Sequence, residues 1–576
     1  MTANLRRVGL AEGSASPTLA PQNLDNTSRS SRCGETPPQA TPSLPPRLVA
    51  DVRSDRVAAS SAAQLAKAPP SFPVYDSKAV FVDFEKVSLE VLFDVRTQRA
   101  TVRAVIDFNQ PEAGFPVADL VHDATAVTLD GKKVPANRYV EVRDPDGAST
   151  FRVLREPTTA GKHKLELTYE LKDSRFLDWS AGGVSFFQDS TDLDDRGFSE
   201  RFFPTSLEYD QYKTDLTLRI HGATSDLRVM ANGATQATRE GGDQVLRIDY
   251  PEWYTTSSYY CHLLDPDSVS FHETTFQGKA GPVPVTCYAS SAGSASAGAE
   301  RAVSVLRELE QTYGPFPHAS YIVRVSGFFT GMEYSGATNT SSSALAHETC
   351  HQWLARGTMP AGGNHGWMDE ALASWRDNGY PRASRIDMGS SYPQLAGFSP
   401  YRRTTPQAAY SHGADVMSEL DYVFRNQGGL RRQVLDFVTL YRHQTVTTDM
   451  FISFLSSRWP ASAPVKIGAY FDRKVLARRS ALSPEAAQAY EQLAGKLIAV
   501  QKADERSYGK AIETLAMALR ELVAAPVNKR ELPMALRRSF TRHALETLER
   551  ALSQQPCESF KLEDLERLRD DVAPLL

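Results

Sequence analysis

Residues 345–354 read Leu-Ala-His-Glu-Thr-Cys-His-Gln-Trp-Leu, with histidines at 347 and 351 and a glutamate at 348. The apolar flanks predict a helix. Residues four apart on a helix lie about 40° apart around its axis, so His347 and His351 share a face. Two imidazoles so placed can both reach one zinc ion at about 2.0–2.1 Å. Glu348 sits one step round from the first histidine. It can touch a metal-bound water without being a ligand itself, and a carboxylate there can take that water's proton.

A third ligand is offered by Glu370, separated from His351 by eighteen residues. Between them Gly357, Pro360, Gly362, Gly363 and Gly366 let the chain turn back. The stretch Asp369–Tyr380, DEALASWRDNGY, then predicts a helix with acidic residues in its first turn, where the helix dipole favours them. His347, His351 and Glu370 would leave a fourth position open, the arrangement of catalytic zinc, with one ion per chain. Asp377 lies about two turns further on the same face. It reads either as a carboxylate holding a ligand histidine from behind or as a solvated helix acid.

Working outward, residues 297–313 carry a helical period that Gly314-Pro315-Phe316-Pro317 ends, and YIVRV at 321–325 reads as a short buried strand. Upstream the texture changes. AVFVDFEKVSLEVLFDVRTQRATVRAVIDF at 79–108 alternates apolar and polar residues, as do HKLELTYEL and YKTDLTLRI, and Asp130-Gly131 is a hairpin signal. The expected architecture is multidomain α+β. Residues 1–72, rich in Ser, Pro and Ala, read as a disordered extension. Residues 73–275 read as an N-terminal antiparallel β-domain, 276–480 as a catalytic domain, and 481–576 as a short all-α C-terminal domain.

The zinc motif and its eighteen-residue return resemble the gluzincin aminopeptidases, the group of alanyl and leucyl aminopeptidases and leukotriene hydrolase. Tyr313-Gly314-Pro315-Phe316-Pro317, Gly331-Met332-Glu333, AAYSHGADVMSELDYVF around Tyr410, and ERFFPTSLEYDQYKTDLTLRI are similar to further family segments in the same order. The resemblance covers roughly residues 75–480. It implies a thermolysin-like zincin catalytic domain, a peptide substrate, Glu348 as general base and Tyr410 as the oxyanion donor. It also implies that Gly331, Met332 and Glu333 bind substrate, with Glu333 meeting the free amine. The β-domain residue that usually helps bind the amine has three candidates, Gln188, Asp189 and Glu200. The chain departs from the pattern at Tyr334, Ser411, His412, Asp369 and Ala371. Two rival readings keep the same fold: a zinc endopeptidase in which Glu333 is structural, and a non-catalytic binding or scaffold protein.

Composition excludes several other classes. Of 576 residues, 41% are hydrophobic and 23% charged, as in ordinary globular proteins, and a net charge of −5 gives no general attraction to nucleic acid or anionic membrane. No apolar run approaches the roughly 18 residues of a spanning helix. The N-terminus lacks the apolar core of a secretory signal, which reads as a cytoplasmic protein. Five scattered cysteines give neither a disulfide framework nor a cysteine metal site. Cys350 is expected in the core, and His365 and His412 as loop or surface groups. The pairs Arg402-Arg403 and Arg431-Arg432 are too small for a nucleic-acid footprint.

Overall fold

The computed structural model describes residues 63–477, apart from 173–174, 181, 327–330 and 390–391, and beyond them 514–517, 545, 548 and 561–572. The expected tail up to residue 62, and most of the expected C-terminal domain, lie outside the described residues. Within that last region Leu562–Val572 is helical.

The N-terminal half is built on an eight-stranded sheet whose central strands are Asp83–Asp94, Arg99–Gln110 and Gly161–Leu171. Along Arg99–Gln110 buried and solvent-facing residues alternate, so Val102, Ala104, Ile106 and Phe108 all point into one core. The sheet is not purely antiparallel as expected. Lys213–His221 runs parallel to Asp83–Asp94, with Leu216 opposite Leu89 and Leu218 opposite Val91. More than a hundred residues of chain separate these two strands, room enough for the crossover that parallel pairing requires.

A second sheet carries the candidate site. Its order is Ser270–Gly278, Gly281–Ala289, Tyr321–Val325, Ala337–Thr340, Met332–Tyr334. The hairpin that opens this sheet straddles residue 275, so its first strand belongs with the second half of the chain. Met332–Tyr334 forms the edge, paired antiparallel with Ala337–Thr340 in a register that sets Glu333 opposite Thr338.

Helices pack on this sheet. The first is Ala292–Tyr313, five residues longer at its start than its apolar period suggests, because the Ser291 side chain accepts from Ser294 N and caps it. Gly314, at φ 85°, then ends it in a conformation that costs glycine little. The helix of the two histidines is regular only over Leu345–Cys350. It is shorter than expected because the chain turns sharply at Ala355, a buried residue at φ 134°. Trp367–Asp377 and Ala414–Val423 follow, the latter preceded by a π-helical turn at Ala409–Gly413.

The two halves are clamped by buried charge. Arg403 donates to Asp119 at 2.8 Å and lies 3.0 Å from Glu200, while Arg196 binds Asp119 from the other side at 2.9 Å. This gives Arg403 a structural place, and Arg402 stacks over Phe398. Residues 64–72, expected to be disordered, lie against the fold. Gln64 accepts from Gln211 N, Tyr401 donates to Pro70 O, and Phe72 packs on Phe81, Phe151 and Tyr401.

Candidate metal centre

The histidine helix is pinned on every side. Thr349 bonds Tyr321 of the central strand, and Trp353 donates its indole N–H to Gly314 O. Gln352 receives Gly336 N at 2.9 Å and donates to Ala337 O, tying the helix to the turn of the edge hairpin. Cys350 is buried on the core side, where burial pushes its thiol upward. The helix Trp367–Asp377 packs alongside, and the turn holding Tyr410 closes on it so tightly that a Cβ at Gly413 would stand 2.8 Å from that of Ala371.

These contacts bring His347, His351 and Glu370 together, with one donor atom from each inside a 4.8 Å cluster. Nε2 of His347 lies 3.1 Å from Oε2 of Glu370, and Nε2 of His351 3.7 Å from the same oxygen. Both ring nitrogens of His351 are buried without a hydrogen-bond partner. Burial outweighs the pull of the Glu370 carboxylate and holds His351 down to about 3, so its ring is neutral and its lone pair free. Nδ1 of His347 meets Oδ2 of Asp377 at 2.7 Å, which fixes the ring and leaves Nε2 toward Glu370. Burial works against protonation of His347, yet Asp377 and Glu370 together lift it to about 11. Two nitrogens and one carboxylate oxygen, in a water-poor cluster with an orphaned imidazole, fit a tetrahedral cation with one position left open.

Glu348 is buried beside this cluster, and burial first, then the Glu333 carboxylate, push it well above the usual range. Gly331 passes directly over it, where a Cβ would run into the Glu348 carboxylate. Tyr410 donates to Oε1 of Glu370 at 2.8 Å, and its ring stacks parallel to that of His347. Glu333, Met332 and Tyr334 come from the edge strand. All of these residues open onto one cleft of about 890 Å³, whose opposite wall is the β-domain loop Asp189–Leu193.

Of the three β-domain candidates only Asp189 lines the cleft, and it is occupied by His262, Arg324 and Asn339. Gln188 bonds Ser199, and Glu200 serves Arg403. Two residues passed over in the sequence stand out instead. Asp192 faces the cleft, raised to about 7 by burial and then by Glu370 and Glu333. Arg356, only 4% exposed, donates to Oε1 and to the backbone oxygen of Glu333 at 2.8 and 3.1 Å. The acidic run Asp192-Leu193-Asp194-Asp195 and the single arginine after the motif were the available signals. His412 is not a surface group. It is buried and bonds Lys474 O at 2.7 Å, while His365 is half-buried against Thr448. Neither belongs to a cluster able to hold a metal among the described residues. None of the described helices is long and apolar enough to cross a membrane.

The fold is similar to that of a solved zinc metallopeptidase. A point variant of the M1 zinc metallopeptidase from Deinococcus radiodurans superimposes with a TM-score of 0.50 at 16% identity, over 69% of this chain and 95% of that one. A second structure of that Deinococcus radiodurans enzyme gives 0.49 at 16% identity, over 66% and 91% of the two chains. Native yeast LTA4 hydrolase gives 0.49 at 14% identity, over 84% and 85%. At 16% identity the likeness to the first of these is one of fold alone. No protein-family model and no curated protein matches the chain.

Proposed function

We propose that the chain is a zinc-dependent peptide hydrolase that removes residues from the N-termini of peptides. The observation that carries this reading is the cluster of His347, His351 and Glu370, with His351 orphaned, set beside Glu348 in a cleft walled by an edge strand. When bound there, zinc polarises a carbonyl oxygen and makes a water acidic enough to attack near neutral pH. His347, His351 and Glu370 hold the ion, and Asp377 orients His347.

Glu348 takes the attacking water's proton and passes it to the departing amine. Tyr410, released from Glu370, turns its hydroxyl to the oxygen that gains negative charge. Met332–Tyr334 pairs with the extended substrate backbone as an added strand. Glu333 and Asp192 give the cleft an acidic end that receives the α-ammonium. A peptide longer than one residue on that side would have to displace this end, which makes the enzyme an exopeptidase.

One observation favours the endopeptidase rival. Glu333 already has a cationic partner in Arg356, as a structural carboxylate would. Elemental analysis and turnover of an amino-acid anilide test the main reading together. Purified chain is expected to carry one zinc and to hydrolyse the anilide. His351→Ala is expected to lose both, and full zinc content in that variant would remove His351 from the ligand set.

A further inference from the structure

The cleft has a second end, and it is basic. Along the histidine helix, Glu333 clusters with Glu348 and His351. His347, one turn earlier, bonds Asp377 on the other side, and Ser343 and Ala344 continue the cleft wall beyond it. A peptide bound with its amine near Glu333 therefore sends the part beyond the cut bond past His347 and over this first turn. Ser343 and Ala344 are small, so the wall is low there. The helix Ala292–Tyr313 packs beside that turn and puts Arg301 on the cleft.

Two arginines line this end, and they differ. Arg376 is occupied: it grips Glu308 at 2.8 Å and Asp377 at 3.1 Å, with its side chain 13% exposed. Arg301 is exposed and forms no hydrogen bond or ion pair among the described residues. Its own helix explains this. Side chains three and four positions away share its stripe, and those positions hold Ala297, Gly298, Ser304 and Val305, none of them an acid. Glu308, two turns along the same stripe, already holds Arg376. The remaining cleft acids are engaged elsewhere: Glu333, Glu348, Glu370 and Asp192 gather around the candidate metal position, and Asp189 is held by His262 and Arg324. The guanidinium of Arg301 keeps its planar set of donors for a carboxylate brought by the substrate.

We propose that Arg301 selects peptides with an acidic side chain beyond the cut bond, at one of the three residues that follow the first. Arg376 bridges Glu308 to Asp377, which backs His347, and seven residues of helix place Arg301 about 10 Å further along. An extended peptide covers that span in about three residues. The proposal rests on the aminopeptidase reading and adds a preference on the departing side of the cleft, separate from recognition of the amine. The rim position favours a side chain over the carboxyl end. Arg301 is exposed, so a peptide can run on past it and keep its terminal carboxylate in water.

The test is kcat/KM on peptides with a free N-terminus and an amidated C-terminus, alanine throughout but for one Asp or one Asn at the second, third or fourth residue. It is measured on the full chain, with zinc content checked for every variant. The wild-type ratio of Asp to Asn peptide is expected to exceed that of Arg301→Gln by about two- to fivefold at one of these positions, the range for an exposed ion pair. Comparing ratios cancels the repulsion that the acidic end exerts on every acidic peptide. Arg301→Lys is expected to keep most of the preference, and Arg301→Glu to carry the ratio below that of Arg301→Gln. Raising salt to about 0.5 M should shrink the difference. Equal ratios in wild type and Arg301→Gln at all three positions overturn the assignment to Arg301 and leave the aminopeptidase reading standing. A difference seen only when the peptides carry a free carboxyl terminus also overturns it, since the chain end would then be what Arg301 meets. Failure of the wild type to shorten any of these peptides from the N-terminus removes the aminopeptidase reading itself, and the assignment with it.

Discussion

Nδ1 of His347 and Oδ2 of Asp377 are 2.7 Å apart, although the two residues lie thirty positions apart in the chain. The bond joins the helix of the two histidines to the helix of Glu370 behind the candidate metal position. Asp377 is itself held by Arg376, which grips Glu308 with its other nitrogens. Removing the Asp377 charge should loosen the ring of a ligand without removing the ligand. Asp377→Asn is expected to weaken zinc binding by about 10- to 100-fold, read by competition with a chelator, with the fold intact by circular dichroism. Unaltered affinity would mean that Asp377 is only a solvated helix acid.

Tyr410 and Glu348 act on the reaction and not on the metal. Tyr410 bonds Glu370 through its hydroxyl alone, so Tyr410→Phe keeps the ring stacked on His347. The variant should retain zinc and lose about 10²–10³ in kcat, the usual effect of deleting one oxyanion donor. Glu348→Gln should also keep zinc while losing most turnover. Near-normal kcat in Tyr410→Phe would assign the donor role elsewhere.

Gly331 offers a steric test. It needs no unusual backbone angle, but a methyl group there would occupy the space of the Glu348 carboxylate. Gly331→Ala should therefore push Glu348 off its line to the water. The expected outcome is a kcat reduced by at least about tenfold, with zinc content and thermal midpoint nearly unchanged, since a misplacement of about 1 Å can cost 10²-fold. An unaffected kcat would show that Glu348 has room to shift without loss.

His318, which is not one of the candidate ligands, gives a pH dependence of stability. Burial holds it down to about 3, and its Nε2 bonds Gln352 O while Nδ1 has no partner. Its ordinary value is 6.5, so between about pH 6.5 and 3 the unfolded chain binds a proton that the folded chain refuses. Stability contributed by a neutral His318 is present above that window and falls as pH drops through it. The slope approaches about 1.4 kcal/mol per pH unit at most. Urea midpoints at pH 7 and pH 5 should draw apart less in His318→Gln than in wild type. Equal slopes would mean that His318 is hydrated in the folded state.

Local spacing made much of the site readable. The four-residue gap between His347 and His351 works inside a single helical turn, and the glycines of 357–366 let Glu370 return to it. Glu333 was marked only by the resemblance of Gly331-Met332-Glu333 to a family segment, and not by spacing. What was hidden depends on contacts distant in sequence. Asp192 reaches the cleft from the opposite domain, on a loop whose backbone is held by Thr405 more than two hundred residues away. Arg356 was passed over, because nothing local shows that the chain turns at Ala355 and drives it into the wall. His412 read as a loop or surface group, and its burial was hidden for the same reason, since Lys474, its partner, lies on a later helix. The parallel pairing of Lys213–His221 with Asp83–Asp94 also left no mark in the period-two alternation, which is the same for either direction.

The central claim is that zinc held by His347, His351 and Glu370 serves Glu348 in removing residues from the amino end of a peptide. Mass spectrometry of the products formed from an unblocked peptide of about ten residues tests it most directly, with the chain used before and after zinc is stripped and restored. The expected result is a ladder of peptides each one residue shorter at the N-terminus, lost with the metal, regained with it, and absent in Glu348→Gln. Internal fragments from the outset, or a ladder that persists without zinc, would contradict it.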